Sequence, residues 1–282
     1  MDLRIDSIND GQLLLDGGAM FGVVPKVLWN RSNPADERNR IRLGLHCLLI
    51  EGEGFLALVD TGVGDKGDEA FADIYGLEES GALVRALKAK GREPEEITHV
   101  INTHLHFDHC GGDTCLDERG EIRPTFPKAK YLIQRGEWRE AASPGERSQA
   151  SYLAGDFMPL KEAGQVELVE GETEVLPGLR LIPTPGHTRH HQSVLVETAS
   201  GPVFHPGDLI PTSSHLPLPW IMSYDLYPVE TLETKRRMLD RAREEGWKLY
   251  FQHEPGDSPY GELEWVSTKK GERPHFRPLS LE

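Results

Sequence analysis

Apolar residues fall in short runs over much of this chain, and Gly, Pro and Asp punctuate the runs. Residues 3–8 and 12–15, split by Asn9-Asp10-Gly11, predict a hairpin, because Asp-Gly between short apolar runs is a turn signal. Residues 17–39, with Gly17-Gly18, Pro25 and Pro34, predict a long loop. That loop is unusually apolar, with Met20, Phe21, Val23, Val24, Val27, Leu28 and Trp29. Residues 41–51 and 55–60 predict a second strand pair joined at Gly52-Glu53-Gly54. Leu83, Ala86 and Leu87 give residues 82–90 a helical spacing that stops at Gly91, and 97–102 predicts a strand.

Beyond that point 131–134 predicts a strand, 136–142 a short helix, and 143–161 an inserted, partly helical segment. Strands are predicted near 166–169, 179–183, 193–197 and 203–205. Residues 228–245 form the longest predicted helix, with Pro228 at its start and Gly246 after its end. Residues 249–252 are the final predicted strand, ending at His253. No repeat and no Ser/Gly-rich linker stands out, so 1–282 reads as one domain. Strands concentrate in the first and third quarters with helices between them. That order fits an α/β fold of two mixed sheets with helices outside, a four-layer αβ/βα sandwich.

Composition narrows the partners. The 282 residues are 38% hydrophobic and 27% charged, as in a globular protein, and long enough to bury a full core. Net charge is -15, from 46 acidic against 31 basic residues. Nucleic-acid binding needs clustered Lys and Arg, and the densest basic stretch, 235–243, is a helix face interspersed with acids. Neither nucleic acid nor an anionic membrane is an expected partner. Cys47, Cys110 and Cys115 are too few and odd in number for a disulfide framework. The first residues lack a basic flank and apolar run, and no stretch approaches ~18 consecutive apolar residues, so a cytoplasmic location is expected.

The chemistry is concentrated in Thr103-His104-Leu105-His106-Phe107-Asp108-His109, where four ligand-type side chains fall within six residues directly after a predicted strand. Imidazole and carboxylate together suit zinc and other first-row divalent ions. Gly111-Gly112 follows and lets backbone crowd the site. Three more candidates, His187, Asp208 and His253, each lie at a predicted strand end with Gly or Pro close by. Rigid strands deliver side chains to one rim, where sites tend to be built. Cys110 sits beside the cluster but reads as packing behind the loop. No role is assigned to His190, His191 or His205.

These residues, in this order, resemble the metallo-β-lactamase superfamily from about Leu45 to His253. The resemblance rests on Asp60-Thr61-Gly62, the His-rich motif, Pro185-Gly186-His187-Thr188, Gly207-Asp208 and His253. It implies two divalent metal ions per chain, zinc by default, with iron, manganese or cobalt as alternatives. One would be held by His104, His106 and His187, the other by Asp108, His109 and His253. Asp208 and a hydroxide would bridge them. Asp60 would orient a histidine ring from behind, with an Asp that caps local backbone at a strand end as the alternative. Two cations ~3.5–4 Å apart generate hydroxide near neutral pH and stabilise the oxyanion of an attacked carbonyl or phosphoryl. Asp108 would carry a proton to the leaving group.

Within the superfamily, His109 argues against a true zinc β-lactamase and His106 against the flavodiiron branch. About 29 residues follow His253, which weakens a glyoxalase II-like thioesterase. The nearest resemblance is to quorum-quenching lactonases and organophosphate-hydrolase-like members, carried by the 18–25 loop and by 207–225. An ester or lactone, such as an acyl-homoserine lactone, is the expected small-molecule substrate, with organophosphate or phosphodiester hydrolysis as a rival and a non-catalytic metal-binding protein as another. Met20, Phe21, Trp29 and Trp220 are candidates for an apolar pocket, or equally for ordinary core. Lactonases of this kind have a Tyr where this chain has Pro211, so Tyr224 or His215 is expected to substitute. The apolar loop at 20–29 would suit a homodimer.

Overall fold

The computed structural model describes residues 3–77, 81–269 and 271–281; Met1 and Asp2 of the N-terminal stretch read above lie outside them. Among these residues the strands are β1 (Arg4–Asp16), β2 (Arg40–Gly52), β3 (Phe55–Val59), β4 (His99–Ile101), β5 (Thr114–Leu116), β6 (Ile122–Pro124), β7 (Lys130–Gln134), β8 (Val166–Val169), β9 (Thr173–Leu176), β10 (Leu179–Pro183), β11 (Gln192–Thr198), β12 (Gly201–His205), β13 (Lys248–Tyr250), β14 (Tyr260–Thr268) and β15 (Gly271–Pro278). One sheet has the order β1-β2-β3-β4-β7-β8, the other β15-β14-β13-β12-β11-β10-β9, and β5-β6 is a separate pair. Both large sheets are mixed. β3, β4, β7 and β8 run parallel, as do β12 and β13, and the remaining neighbours are antiparallel.

The period-2 alternation of β2 and β3 builds the layers. Leu48, Ile50, Ala57 and Val59 face a core shared with Leu181, Val194, Val196 and Val203 of the second sheet. Their neighbours Cys47, Leu49, Leu56 and Leu58 face the opposite side, onto Leu83 and Leu87 of helix Leu83–Ala89 and Phe157 and Leu160 of helix Ala154–Glu162. Strands buried on both faces read as continuous apolar runs. On the far side, Met238, Leu239 and Ala242 of helix Pro228–Glu245 cover the second sheet through Leu195, Phe204 and Leu249. The expected αβ/βα sandwich is the observed architecture. Gly246 ends that last helix in the left-handed conformation (φ 70°), as its position suggested.

Three local expectations are corrected. Residues 3–15 do not form a hairpin: β1 is continuous and pairs with β2 throughout, and Asn9-Asp10-Gly11 is a bulge at which the register shifts between Asn9 and Gln12. Asp10 is buried there and accepts hydrogen bonds from the N–H groups of Val63, Gly64 and Leu83, which a solvent-facing turn residue could not do. The 17–39 loop contains two short helices, Gly17–Phe21 and Lys26–Trp29, and buries Met20, Phe21 and Trp29. Residues 249–252 are not the final strand, because the antiparallel pair β14–β15 follows and extends the second sheet. No helix among the described residues is long and apolar enough to cross a membrane.

Candidate metal centre

The carboxyl ends of β3, β4, β10, β12 and β13 all meet one rim. There the chain leaves each strand through a short polar turn bearing Asp60, His104 to His109, His187, Asp208 and His253 respectively. Close backbone packing forces the small residues that follow. A Cβ on Gly111 would lie 2.1 Å from the Val63 carbonyl oxygen, and one on Gly112 2.3 Å from that of Thr61.

The seven residues expected as ligands come together, all buried. Ligand-type atoms of His104, His106 and His187 lie within 4.8 Å of one another, as do those of Asp108, His109 and His253, and those of His104, His109 and Asp208. Asp208 sits between the first two groups. Its Oδ2 is 3.3 Å from His187 Nε2, while its Oδ1 is 3.3 Å from both His109 Nε2 and His253 Nε2.

The outward nitrogens fix what the inward ones present. His109 Nδ1 lies 2.9 Å from Asp60 Oδ2, His187 Nδ1 3.0 Å from Asp225 Oδ1, and His253 Nδ1 2.9 Å from the Gly44 carbonyl. Each acceptor draws the ring proton to Nδ1, leaving Nε2 as a lone pair. Yet His109 Nε2 and His253 Nε2 are 3.2 Å apart, and His187 Nε2 is 3.0 Å from His106 Nδ1. The facing lone pairs of His109 and His253 need a cation or a proton between them, and His106 must turn a ring proton to His187 or share a cation with it. His104 Nε2 and Asp208 Oδ1 are buried without a hydrogen-bond partner. The donor set therefore fits divalent metal.

The electrostatics agree. Burial, reinforced by neighbouring imidazoles, holds His104 and His106 well below the usual histidine range. Burial also opposes charge on His109 and His187, but the carboxylates of Asp208, with Asp108 and Asp60 for the one and Asp225 for the other, raise both. Asp208 resists burial and is held well below the carboxylate range by His109, His187 and His253. A divalent cation replaces the protons such a cluster otherwise retains.

Asp60 does more than cap backbone. It adopts φ 55°, rare for a non-glycine, and accepts from the Thr103 N–H (2.7 Å) and hydroxyl (2.8 Å) as well as facing His109. Sequence reasoning missed Asp225 and the role of His191, whose Nε2 accepts the Asp208 N–H at 3.1 Å and so fixes that turn. Isolated acids and histidines outside a motif carry no spacing signal that would have found them. Cys110 is buried behind the loop with its thiol on the Leu105 carbonyl (3.3 Å), as expected.

A cleft of about 290 Å³ opens above the cluster. Its walls include Leu15, Met20, Leu43, Tyr75, Phe107, Met222, Tyr224 and Leu226, with Arg147, Ser148, Ser151 and Ser223, and its floor includes His106, Asp108, His187, Asp208 and His253. Met20 and Tyr224 therefore line the cleft. Phe21, Trp29, His215 and Trp220 are not among the residues that line it. Phe21 stacks on Trp29 (5.3 Å) and on His215 (4.6 Å) and meets Trp220 edge-on, forming an aromatic stack apart from the lining. His215 also spends both ring nitrogens, on the Met20 carbonyl and the Thr212 hydroxyl, so it has none left for a substrate. The sequence offers apolar residues in this loop but no pattern that separates cleft from core.

Residues 41–253 match the family described as the metallo-beta-lactamase superfamily. An N-acyl homoserine lactonase from Bacillus sp. is 37% identical over 172 residues, 57% of this chain and 62% of the lactonase, so the match spans less than two thirds of that relative. A crystal structure of a probable metal-dependent hydrolase from Staphylococcus aureus superposes with a TM-score of 0.87 at 30% identity, covering 98% of this chain and 97% of the other. An N-acyl homoserine lactone hydrolase, solved with N-hexanoyl-L-homoserine at its catalytic metal centre, gives a TM-score of 0.70 at 25% identity over 90% and 95% of the two chains.

Proposed function

Because the chain belongs to the metallo-beta-lactamase superfamily, we propose that it acts as a metal-dependent hydrolase, one that opens a carboxylic ester or lactone at a two-metal centre. The observation that carries this reading is Asp208, whose two carboxylate oxygens face separate groups of ligand atoms on the floor of an apolar cleft. His104, His106 and His187 would hold one cation and Asp108, His109 and His253 the other, with Asp208 between them. Zinc is the first choice for this donor set, and iron, manganese or cobalt also suit it. Two bound cations would supply an activated water near neutral pH and polarise the scissile carbonyl.

The chain's own residues do the rest. Asp60, Asp225 and the Gly44 carbonyl hold the imidazoles in one tautomer and orientation. Asp108 faces the cleft from the floor and is the group to pass a proton to the departing oxygen. Met20, Leu15, Leu43, Met222 and Leu226 exclude water and suit the acyl portion of a lipophilic substrate. Tyr224 reaches the cleft, and among the described residues its hydroxyl has no hydrogen-bond partner, which suits it to the substrate carbonyl in place of the Tyr absent at 211. The lactonase relatives support an N-acyl homoserine lactone as the narrower substrate. A common core and one shared rim support a single hydrolase domain over 1–282. Val23 (89% exposed), Val27 (72%) and Leu28 (43%) on the 22–29 segment support a second copy of the chain as partner.

Metal content per chain, on protein purified without added metal, tests the centre. About two metals, falling in Asp208→Ala, are expected; one or none, unaffected by that substitution, overturns the ligand assignment. Loaded enzyme is then offered aliphatic lactones, carboxylic esters and aryl phosphotriesters. Failure to open any lactone removes the narrower reading, and turnover of phosphotriesters alone moves the reaction to phosphorus.

A further inference from the structure

Glu137 lies on helix Arg135–Ala142, and its carboxylate is buried (1% exposed). Three groups donate to it. The Leu105 N–H (3.1 Å) and the Tyr152 hydroxyl (2.9 Å) reach Oε1, and the Thr188 hydroxyl (2.7 Å) reaches Oε2. No Lys or Arg among the described residues forms an ion pair with it. Each donor belongs to the same half of the metal centre. Leu105 sits between His104 and His106, Thr188 follows His187, and the Tyr152 ring packs on His106 with centroids 4.8 Å apart. The other half is supported elsewhere, His109 by Asp60 and His253 by the Gly44 carbonyl.

Holding a carboxylate in the core without a cation is costly. Burial drives the Glu137 carboxyl up in pKa, against the three hydrogen bonds that favour its ionised form. Simple packing at this position needs no acid. An acid whose donors come from the flanks of three imidazoles holds those imidazoles in register.

We propose that Glu137 is a positioning residue for the His104–His106–His187 half of the centre, setting that half's affinity for its cation and leaving the Asp108–His109–His253 half to Asp60 and Gly44. The inference rests on the two-metal reading above.

Zinc titration of the metal-free protein against a competing chromophoric chelator tests it. Wild type is expected to bind two zinc ions. Glu137→Gln is expected to bind one at the wild-type affinity and one about 10–100-fold more weakly, with the unfolding midpoint of the metal-free protein unchanged. Adding His253→Ala leaves only the weakened ion. Adding His187→Ala instead leaves one ion bound as tightly as in His187→Ala alone. Equal weakening of both ions, or a lowered midpoint with unchanged zinc affinities, overturns the assignment. Should Glu137→Gln fail to fold, Tyr152→Phe and Thr188→Val each remove one donor. Each is then expected to weaken the same half several-fold, and no change in either overturns the proposal. A wild type that binds no zinc is a separate outcome: it defeats the two-metal reading and this proposal with it.

Discussion

His187 and Asp225 are 38 positions apart in sequence, yet His187 Nδ1 lies 3.0 Å from Asp225 Oδ1. The other oxygen of the same carboxylate accepts the Met222 N–H at 3.2 Å, so one side chain fixes both an imidazole of the metal centre and a wall of the cleft. Removing it should cost metal before it costs fold. Asp225→Ala is expected to lower zinc affinity about 10–100-fold, measured by competition with a chelator. Unchanged zinc affinity would show that the ring is held by packing alone.

Tyr224 and His215, both candidates for the same substrate contact, should separate cleanly. Tyr224→Phe removes only a hydroxyl on the cleft, and kcat/KM for a lactone is expected to fall about tenfold at an unchanged unfolding midpoint. His215→Ala removes a buried ring stacked on Phe21 together with two hydrogen bonds, and should cost about 2–4 kcal/mol of stability in urea denaturation. The reverse pattern would return His215 to the substrate.

Lys66 and Asp156 form a nearly buried ion pair at 3.1 Å, with side chains 11% and 7% exposed. The same ammonium binds the carbonyls of Gly111 and Thr114, behind the His-rich loop. Burial raises the Asp156 carboxyl to about 6 even with Lys66 beside it. Lys66→Met leaves that acid without its partner and should destabilise by about 3–5 kcal/mol at pH 8. A raised carboxyl pKa means stability present at low pH and lost as pH rises through it. Without Lys66 the Asp156 carboxyl rises further, so the deficit of Lys66→Met is expected to shrink as pH falls from 8 towards about 6 and to level off below, where the wild-type acid also takes up its proton. A deficit independent of pH would reject the pair as its cause.

Lys235 is fully buried on helix Pro228–Glu245, donating to the carbonyls of Pro217 and Trp220 at 2.9 Å. Burial lowers its pKa from 10.5 to about 7. Between those values the unfolded chain holds a proton that the folded chain has released, so this group favours folding increasingly as pH rises from 7 towards 10.5. The stability of wild type relative to Lys235→Met is expected to increase over that window in denaturant titrations. A constant difference would mean that Lys235 stays charged in the fold.

The clustered ligand-type residues were legible because four of them crowd into 104–109 and the others follow strands with Gly or Pro close by. Asp225 and Glu137 were not, because each acts across long sequence distances from a position where an acid is unremarkable. The layered core was readable from continuous apolar runs such as 47–50 and 55–59. The C-terminal pair β14–β15 was missed because charged residues such as Glu262, Glu264, Arg273 and Arg277 interrupt it throughout, and an edge pair with one wet face gives a weak apolar signal. Phe21, Trp29 and Trp220 looked like pocket residues because composition says where apolar side chains are available but not which of them a neighbouring ring will cover.

The extra residue that β1 carries at Asn9-Asp10-Gly11 makes the strand's two halves different in phase. Asn9 pairs with His46 and Gln12 with Gly44, three steps along one strand against two along the other. Deleting one residue there would restore a regular ladder with 12–16 still opposite 40–44 and Leu13 still buried, but it would take away the kink that presents the Asp10 carboxylate to the N–H groups of Val63, Gly64 and Leu83. Asp16 would still stand opposite Arg40 and lead into helix Gly17–Phe21, leaving Met20 on the cleft it lines. The bulge thus works as a bracket: it lets one strand lend a buried carboxylate to the 63–64 turn, which packs on Gly111 behind the His-rich loop, without disturbing the strand's own ladder.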